Sequence, residues 1–179
     1  YRIDGKTRKL ALDPALTVHA EPGQGPRHFD FSPSQEHCYV LNELGSTVAV
    51  YDRDVASGRL TARQLISTLP DSWEGESHTA DVHVSGNGRF LYASNRGHDS
   101  IAIFAIEPAT GELSPVGHEP TGGENPRNFA LTPDGQFLLA ENSVSGTIVT
   151  FAVDADSGGL EPTGDVLELP APVCIKFRP

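Results

Sequence analysis

The chain has 179 residues, of which 37% are hydrophobic, so it is long enough for one domain, or two small ones, with a modest core. Its 13 basic and 24 acidic side chains give a formal net charge of −11, which excludes a surface for nucleic acid or anionic membrane. No apolar run approaches the roughly 18 residues of a membrane span, and no signal peptide precedes Tyr1. We therefore expect a cytoplasmic protein.

Short β-branched or aromatic runs follow one another along the chain, with turn signals between them. The runs are HFDF, CYVL, TVAVY, FLYAS, SIAIFAI, FLLAE and TIVTFAV. The turns are SPSQ, VASGR, SGNGR, PATGE, TPDGQ and DSGG. Helical periodicity is almost absent, and short strands between glycine-rich turns at intervals of about 8 to 12 residues predict an all-β fold.

A longer repeat underlies these runs. Phe31-Ser32-Pro33 aligns with Val84-Ser85-Gly86 after 53 residues and with Leu131-Thr132-Pro133 after 47 more. Each unit has four predicted strands, and its second strand ends on an asparagine. These asparagines are Asn42, Asn95 and Asn142. Four strands in about 47 to 53 residues, repeated, indicate the blades of a β-propeller. The alternative is an ordinary β-sandwich whose turns are similar by chance.

The repeat divides the chain into one partial propeller domain over residues 1–179. We predict the end of one blade, three whole blades and the first strand of a further blade. Their ranges are 1–23, 24–70, 71–122, 123–169 and 170–179. A propeller closes as a ring to shield its sheet edges. We therefore expect the chain to be part of a longer protein and to pair with a missing N-terminal half or with another copy.

Charged residues cluster at one end of the predicted blades. The start of a first strand and the end of a second strand lie at the same end of an antiparallel blade. The face so defined collects Arg27, His28, Glu43, Asp81, Arg96 and Arg127. Glu43 and Arg96 stand 53 residues apart, at equivalent positions of adjacent blades.

The chemistry of this face suits an anionic substrate. Guanidinium groups around a carboxylate bind carboxylate or phosphate, and they stabilise the oxyanion that forms when an ester or lactone carbonyl is attacked. Glu43 is a candidate general base on water, although neighbouring arginines would lower its pKa. The competing interpretation is structural, with the same charges forming salt bridges between blades.

Asp81 and His83 form a second candidate group in SHTADVHV, since residues i and i+2 of a strand face the same side. Three roles are open: hydrogen bonds to neighbouring turns, a substrate contact, or a metal site. The sequence has no Cys-x-x-Cys motif that would indicate zinc. We predict neither a metal nor a cofactor.

Four stretches in this order carry a family resemblance: GPRHFDFSP, VLNELGSTVAVYD, TADVHVSGNGRFLYASNRGHDSIAIF and NPRNFALTPDGQFLLAENSVSGTIVTF. They resemble the lactonase family of seven-bladed β-propellers, which includes bacterial propeller-type 6-phosphogluconolactonases and fungal carboxy-muconate lactonizing enzymes. The resemblance covers essentially the whole chain and corresponds to the C-terminal half of the family. It implies about three and a half four-stranded blades of a seven-bladed ring.

The resemblance also implies an activity. It assigns Arg27, Glu43 and Arg96 to catalysis, and we expect His28, Asp81, His83 and Arg127 to contact substrate. The expected reaction is hydrolysis of a small anionic sugar-acid lactone, 6-phosphogluconolactone, without a metal. Two alternatives stay open: a carboxy-muconate cycloisomerase, and a non-catalytic propeller that binds an anionic ligand or a protein partner. A further family histidine would precede this chain, and residues 169–172 read LPAP where the family often has Gly-x-x-Pro.

Overall fold

The computed structural model describes residues 2–178. Tyr1 and Pro179, the first and last residues of the predicted partial blades, lie outside the described residues. A two-stranded hairpin and one short 3-10 helix, Pro14–Leu16, come first. Three four-stranded antiparallel sheets follow, each with its strands paired in chain order. The hairpin strands are β1 (Arg2–Ile3) and β2 (Leu10–Ala11). The prediction of an all-β partial propeller is therefore confirmed.

Each sheet is one blade of the propeller. The first blade consists of β3 (Pro26–Phe31), β4 (His37–Asn42), β5 (Thr47–Arg53) and β6 (Leu60–Ser67). The second consists of β7 (His78–Val84), β8 (Phe90–Arg96), β9 (Ser100–Ile106) and β10 (Leu113–Pro120). The third consists of β11 (Pro126–Leu131), β12 (Phe137–Asn142), β13 (Thr147–Val153) and β14 (Leu160–Glu168). The borders of the blades within the connecting loops stay predictions.

The second blade buries both faces of its sheet, because it lies between the other two. Along β8, Leu91 and Ala93 face the first blade, where they join a core with Tyr39. Phe90 and Tyr92 alternate with them and face the core of the third blade. A strand buried on both sides has a continuous apolar run instead of an alternating one, as in SIAIFAI of β9.

The asparagine that ends each second strand has a structural role in the second and third blades. Asn95 Nδ2 donates to the carbonyl of Thr68 at 2.8 Å, and Asn142 Nδ2 donates to the carbonyl of Thr121 at 3.0 Å. Both carbonyls belong to the chain that leaves a fourth strand, so the asparagine holds the connection between successive blades. The recurrence of this residue therefore follows from buried backbone groups that need partners.

All three first strands carry a β-bulge near their start. The register against the second strand shifts between Pro26 and His28 in β3, between Thr79 and Val82 in β7, and at the corresponding place in β11. A bulge redirects side chains and is frequent beside functional sites. The bulges fall on the positions at which the sequence has Arg27, Asp81 and Arg127.

The first strand predicted over 170–179 is not formed between residues 170 and 178. A first strand obtains its hydrogen bonds from the second strand of its own blade, and the sequence contains no such strand after residue 170. The segment nevertheless lies beside the third blade, because the backbone amide of Ile175 donates to Asn128 Oδ1 at 3.2 Å.

Candidate active site

A tight turn positions the first two candidate residues relative to each other. Gly25 has a φ of +65°, and a Cβ there would lie 2.8 Å from the Cγ of Leu44. Glycine satisfies both requirements at no steric cost. The carbonyl of Gly25 accepts a hydrogen bond from the amide of Glu43 at 2.8 Å. The start of β3, which carries Arg27, is thereby fixed next to the residue that follows β4.

Arg27, Glu43 and Arg96 form a chain of ion pairs. Nη1 of Arg27 lies 3.6 Å from Oε2 of Glu43. The other oxygen of Glu43 accepts a hydrogen bond from Nη2 of Arg96. The glutamate thus lies between two guanidinium groups that come from adjacent blades. All three side chains are partly buried, with exposed fractions of 21%, 30% and 15%.

Backbone carbonyls of β7 hold both guanidinium groups. Nε of Arg27 donates to the carbonyl of Ala80 at 2.9 Å. Nη2 of Arg96 donates to the carbonyl of Thr79 at 3.0 Å. The register shift in β7 lies between Thr79 and Val82, so the carbonyl of Ala80 leaves the regular ladder and is free to accept from Arg27. Each arginine is therefore oriented by one carboxylate and one carbonyl.

The two arginines also determine the charge of Glu43. Burial acts to raise the pKa of this carboxyl, but the hydrogen bond and charge of Arg96, with the charges of Arg27 and His78, outweigh burial and lower the pKa below its usual value. Glu43 is consequently ionised at neutral pH. A carboxylate in this state orients cations well, but it binds a proton only weakly.

A second cluster surrounds the buried carboxylate of Asp81, whose residue is 4% exposed. Its oxygens accept hydrogen bonds from the side chains of His28, His83 and Asn128 and from the backbone amides of Val82 and Phe129. Nδ1 of His28 lies 2.7 Å from Oδ1, and Nε2 of His83 lies 3.2 Å from Oδ2. The carboxylate thus links all three blades.

These contacts favour the first of the three roles open for Asp81. Burial acts to raise its pKa, but the hydrogen bonds and charges of His83 and His28 prevail and lower the pKa below the ordinary value. Burial acts to lower the pKa of His83, yet the hydrogen bond and charge of Asp81 and the charge of Asp30 raise the pKa overall. Asp81 is therefore an ionised hydrogen-bond acceptor that positions two imidazoles.

A concave cleft of about 410 Å³ opens between the first strands and the segment after β14. Arg27 and His28 line it from β3, Asp81 and His83 from β7, and Lys176 from the C-terminal segment. Adjacent residues of a regular strand face opposite sides. The bulge between Pro26 and His28 accounts for two consecutive side chains lining one cleft.

A second, more open cleft of about 360 Å³ lies on the other side of Arg96. Arg127 lines neither cleft, and it forms no hydrogen bond or ion pair with residues 2–178. In the third blade it occupies the position that Arg27 has in the first blade and Ala80 has in the second. Ser143 stands where the first blade has Glu43. The structure therefore does not bring Arg127 into either cluster.

Glu141 is a candidate functional residue that the sequence pattern did not indicate. The residue is 1% exposed, and its Oε2 has no hydrogen-bond partner among the described residues. Burial raises the pKa of this carboxyl to about 7, with the charge of Asp81 adding to the effect and that of Lys176 opposing it. Leu41 and Ser94 occupy the equivalent positions of the other blades, so the blade pattern gave no signal of a carboxyl here.

Residues 2–178 contain no group of three or more His, Cys, Asp or Glu side chains arranged to hold a metal ion. Among the same residues, no helix has the length and apolar character needed to cross a membrane.

The amino-acid sequence of the chain is similar to that of known proteins. The sequence profile described as "Lactonase, 7-bladed beta-propeller" matches residues 1–177. A 6-phosphogluconolactonase of Bacillus subtilis (strain 168) is 38% identical over 156 residues, which are 87% of this chain and 45% of that protein. A 6-phosphogluconolactonase of Formosa agariphila is 43% identical over 131 residues, which are 70% of this chain and 35% of that protein.

A solved structure has the same fold. The Pseudomonas aeruginosa periplasmic gluconolactonase superposes with a TM-score of 0.84 and 35% sequence identity. The match covers 89% of this chain and 44% of that one. The chain therefore spans less than half the length of each of these three relatives.

Proposed function

The chain belongs to the lactonase family of seven-bladed β-propellers, and on this premise we propose that the protein containing it hydrolyses a sugar-acid lactone. The preferred substrate is 6-phosphogluconolactone, which opens to 6-phosphogluconate. Relatives that bear the name 6-phosphogluconolactonase support this choice of substrate.

The observation that carries the proposal is the Arg27–Glu43–Arg96 ion-pair chain beside the cleft. Arginine fixed by a carboxylate and a backbone carbonyl is preorganised, so it need not reorganise as negative charge develops on the lactone oxygen. The Nη2 of Arg27 has no hydrogen bond to residues 2–178 and is available to an oxyanion. The ordered guanidinium groups thus suit the transition state of acyl transfer.

The phosphate of the substrate requires a further cation. We assign Lys176, which lines the cleft, to the phosphate group, because Arg127 lines neither cleft. A structural neighbour acts on gluconolactone, which has no phosphate. Comparing kcat/KM for the two lactones therefore measures what this cation contributes.

The experiment measures kcat/KM of the full-length protein for 6-phosphogluconolactone and for unphosphorylated gluconolactone. Arg96→Ala and Glu43→Gln should each lower kcat/KM for both lactones by about 10²-fold or more, because each disorders the oxyanion-binding group. Lys176→Ala should lower kcat/KM for the phosphorylated lactone alone, because Lys176 lines the cleft.

The matched control is Arg63→Ala. Arg63 also pairs with a carboxylate, donating from Nε to Asp52 at 2.8 Å, but it lies on exposed β6 away from both clefts. This variant should keep wild-type activity. A wild-type protein that accelerates neither lactone contradicts the proposal and leaves a non-catalytic anion-binding propeller as the better interpretation.

Two sequence predictions about the surroundings of this site stay proposals. One is the cytoplasmic location. Because the Pseudomonas relative is periplasmic, cell fractionation of the native protein is the test of this location. The other is the partner that completes the ring, either an N-terminal half in the same protein or a second copy of the chain. The mass of the single polypeptide under denaturing conditions distinguishes these partners, because a second copy leaves the polypeptide at 19.1 kDa and an N-terminal half in the same protein increases it.

A further inference from the structure

The two imidazoles on Asp81 differ in what their second nitrogen contacts. His83 presents Nε2 to Asp81 at 3.2 Å, while its Nδ1 lies 3.9 Å from Oδ2 of Asp30. Both nitrogens of His83 therefore face carboxylates. His28 presents only Nδ1 to Asp81, at 2.7 Å, and its Nε2 has no hydrogen bond to any residue between 2 and 178. His28 is also the more exposed side chain, at 43% against 31%.

The contact with Asp81 selects one tautomer of His28. An ionised carboxylate has no proton to donate, so Nδ1 of a neutral imidazole must carry the hydrogen of this bond. The lone pair is then on Nε2, the nitrogen without a protein partner. A buried carboxylate that orients an imidazole in this way also stabilises the imidazolium that forms when the ring takes a proton.

Glu43 is poorly suited to the same task. Both of its oxygens face guanidinium groups, at 3.6 Å from Arg27 and in a hydrogen bond with Arg96. A proton taken by this carboxylate would break the ion pairs that orient the two arginines. The site therefore needs a different proton acceptor, and His28 is the neighbour of Arg27 in the chain and in the cleft.

We propose that His28 is the general base of the reaction, positioned by Asp81, and that Glu43 serves to orient Arg27 and Arg96. This inference rests on the proposed lactone hydrolysis. Nε2 of His28 takes a proton from water as the water oxygen bonds to the lactone carbonyl carbon. The oxyanion lies against Arg27. The bond from that carbon to the ring oxygen then breaks, and the imidazolium returns its proton to the leaving oxygen.

The charged groups around the imidazole are compatible with this cycle. Those that line the cleft are Arg27, Asp30, Asp81, His83 and Lys176. The two aspartates favour a transient imidazolium, while Arg27 and Lys176 favour an anionic substrate beside it. The cations and the base thus act on different atoms of the lactone.

The test compares His28→Gln and His28→Ala with the wild type in the full-length protein. We expect kcat/KM for the lactone to fall by about 10²- to 10⁴-fold, the usual contribution of a positioned general base. Added imidazole should restore part of the activity of His28→Ala only. The pH dependence of kcat/KM should change in His28→Gln, because a glutamine side chain cannot exchange a proton with water. Asp81→Asn should lower kcat more than it changes KM.

The matched control is His37→Gln, because His37 forms another histidine–aspartate pair, with Nδ1 at 3.4 Å from Oδ1 of Asp52, outside the cleft. This variant should keep wild-type kcat/KM. If the wild type hydrolyses lactones and His28→Gln is equally fast, the base is another group and only this inference fails. If activity is lost but imidazole does not restore it in a folded His28→Ala, the role is structural and the inference also fails. If the wild type hydrolyses no lactone, the proposed function fails with it.

Discussion

Glu141 offers the most quantitative test of the arrangement next to the cleft. Its carboxyl is buried, and Oε2 has no partner among the described residues. Glu141→Gln keeps the size and shape of the side chain but removes the ionisable proton. Leu41 and Ser94 stand at the equivalent positions in the other blades, so the fold itself does not require a carboxyl there.

The magnitude follows from the raised pKa. Moving the pKa of the Glu141 carboxyl from 4.5 to about 7 costs roughly 3 kcal/mol of folding free energy once the unfolded chain is ionised, at about 1.4 kcal/mol per pKa unit. Below the ordinary pKa, the folded and unfolded chains both hold the proton and the wild type loses nothing. As the pH rises towards the folded pKa, only the unfolded chain ionises, so the wild type loses stability that Glu141→Gln keeps.

The assay is urea unfolding of the full-length wild type and the Glu141→Gln variant at about pH 4.5 and about pH 8, with the free energy of unfolding taken by linear extrapolation. The stability of the variant relative to the wild type should increase by roughly 3 kcal/mol between the two conditions. Glu36→Gln, on an exposed turn, removes the same charge from the acidic chain and corrects for net-charge effects. A difference that does not change with pH would refute the interpretation of Glu141 as a buried neutral carboxyl.

Three further substitutions test individual contacts by thermal or urea unfolding. Asp81→Asn should cost about 2 to 4 kcal/mol, because it removes the charge that several buried donors share; a loss below 1 kcal/mol would contradict that role. Tyr92→Phe should cost about 1 kcal/mol, since it removes the 3.0 Å hydrogen bond from the Tyr92 hydroxyl to the carbonyl of Gly158 in the next blade. Gly25→Ala should cost about 1 to 3 kcal/mol, because its positive φ and the Leu44 side chain both oppose a Cβ; an unchanged midpoint would show that the turn relaxes freely.

The repeat made most of the fold predictable from sequence. A blade uses the same buried polar groups each time, so Asn95 and Asn142 recur because each satisfies a carbonyl that no strand partner reaches. The segment after residue 170 was predicted less well, because a strand needs a pairing partner as well as a suitable sequence. The family resemblance carried by the four sequence stretches is confirmed by the profile match over residues 1–177.

The candidate site was predictable only in part. The 53-residue spacing of Glu43 and Arg96 predicted that they lie at one end of adjacent blades, and they are in direct contact. The spacing did not predict the bulges, since the sequence of a short first strand contains no signal for the extra residue of a bulge. It also gave no indication that Glu141 is buried without a hydrogen-bond partner, because a glutamate before a terminal asparagine has the sequence pattern of an exposed strand end.

The geometry of β3 and β7 explains how Arg27 and His28, the proposed anion-binding group and the proposed base, keep a fixed position relative to each other. Arg27 donates to the carbonyl of Ala80, and the next residue, His28, contacts the carboxylate of Asp81. Two consecutive residues of one blade thus bind two consecutive residues of the next. The bulge in β7 makes this possible, because it turns a carbonyl and a side chain towards the same neighbour. A shift of one blade against the other would displace both groups together, so the packing between the first two blades is part of the proposed site.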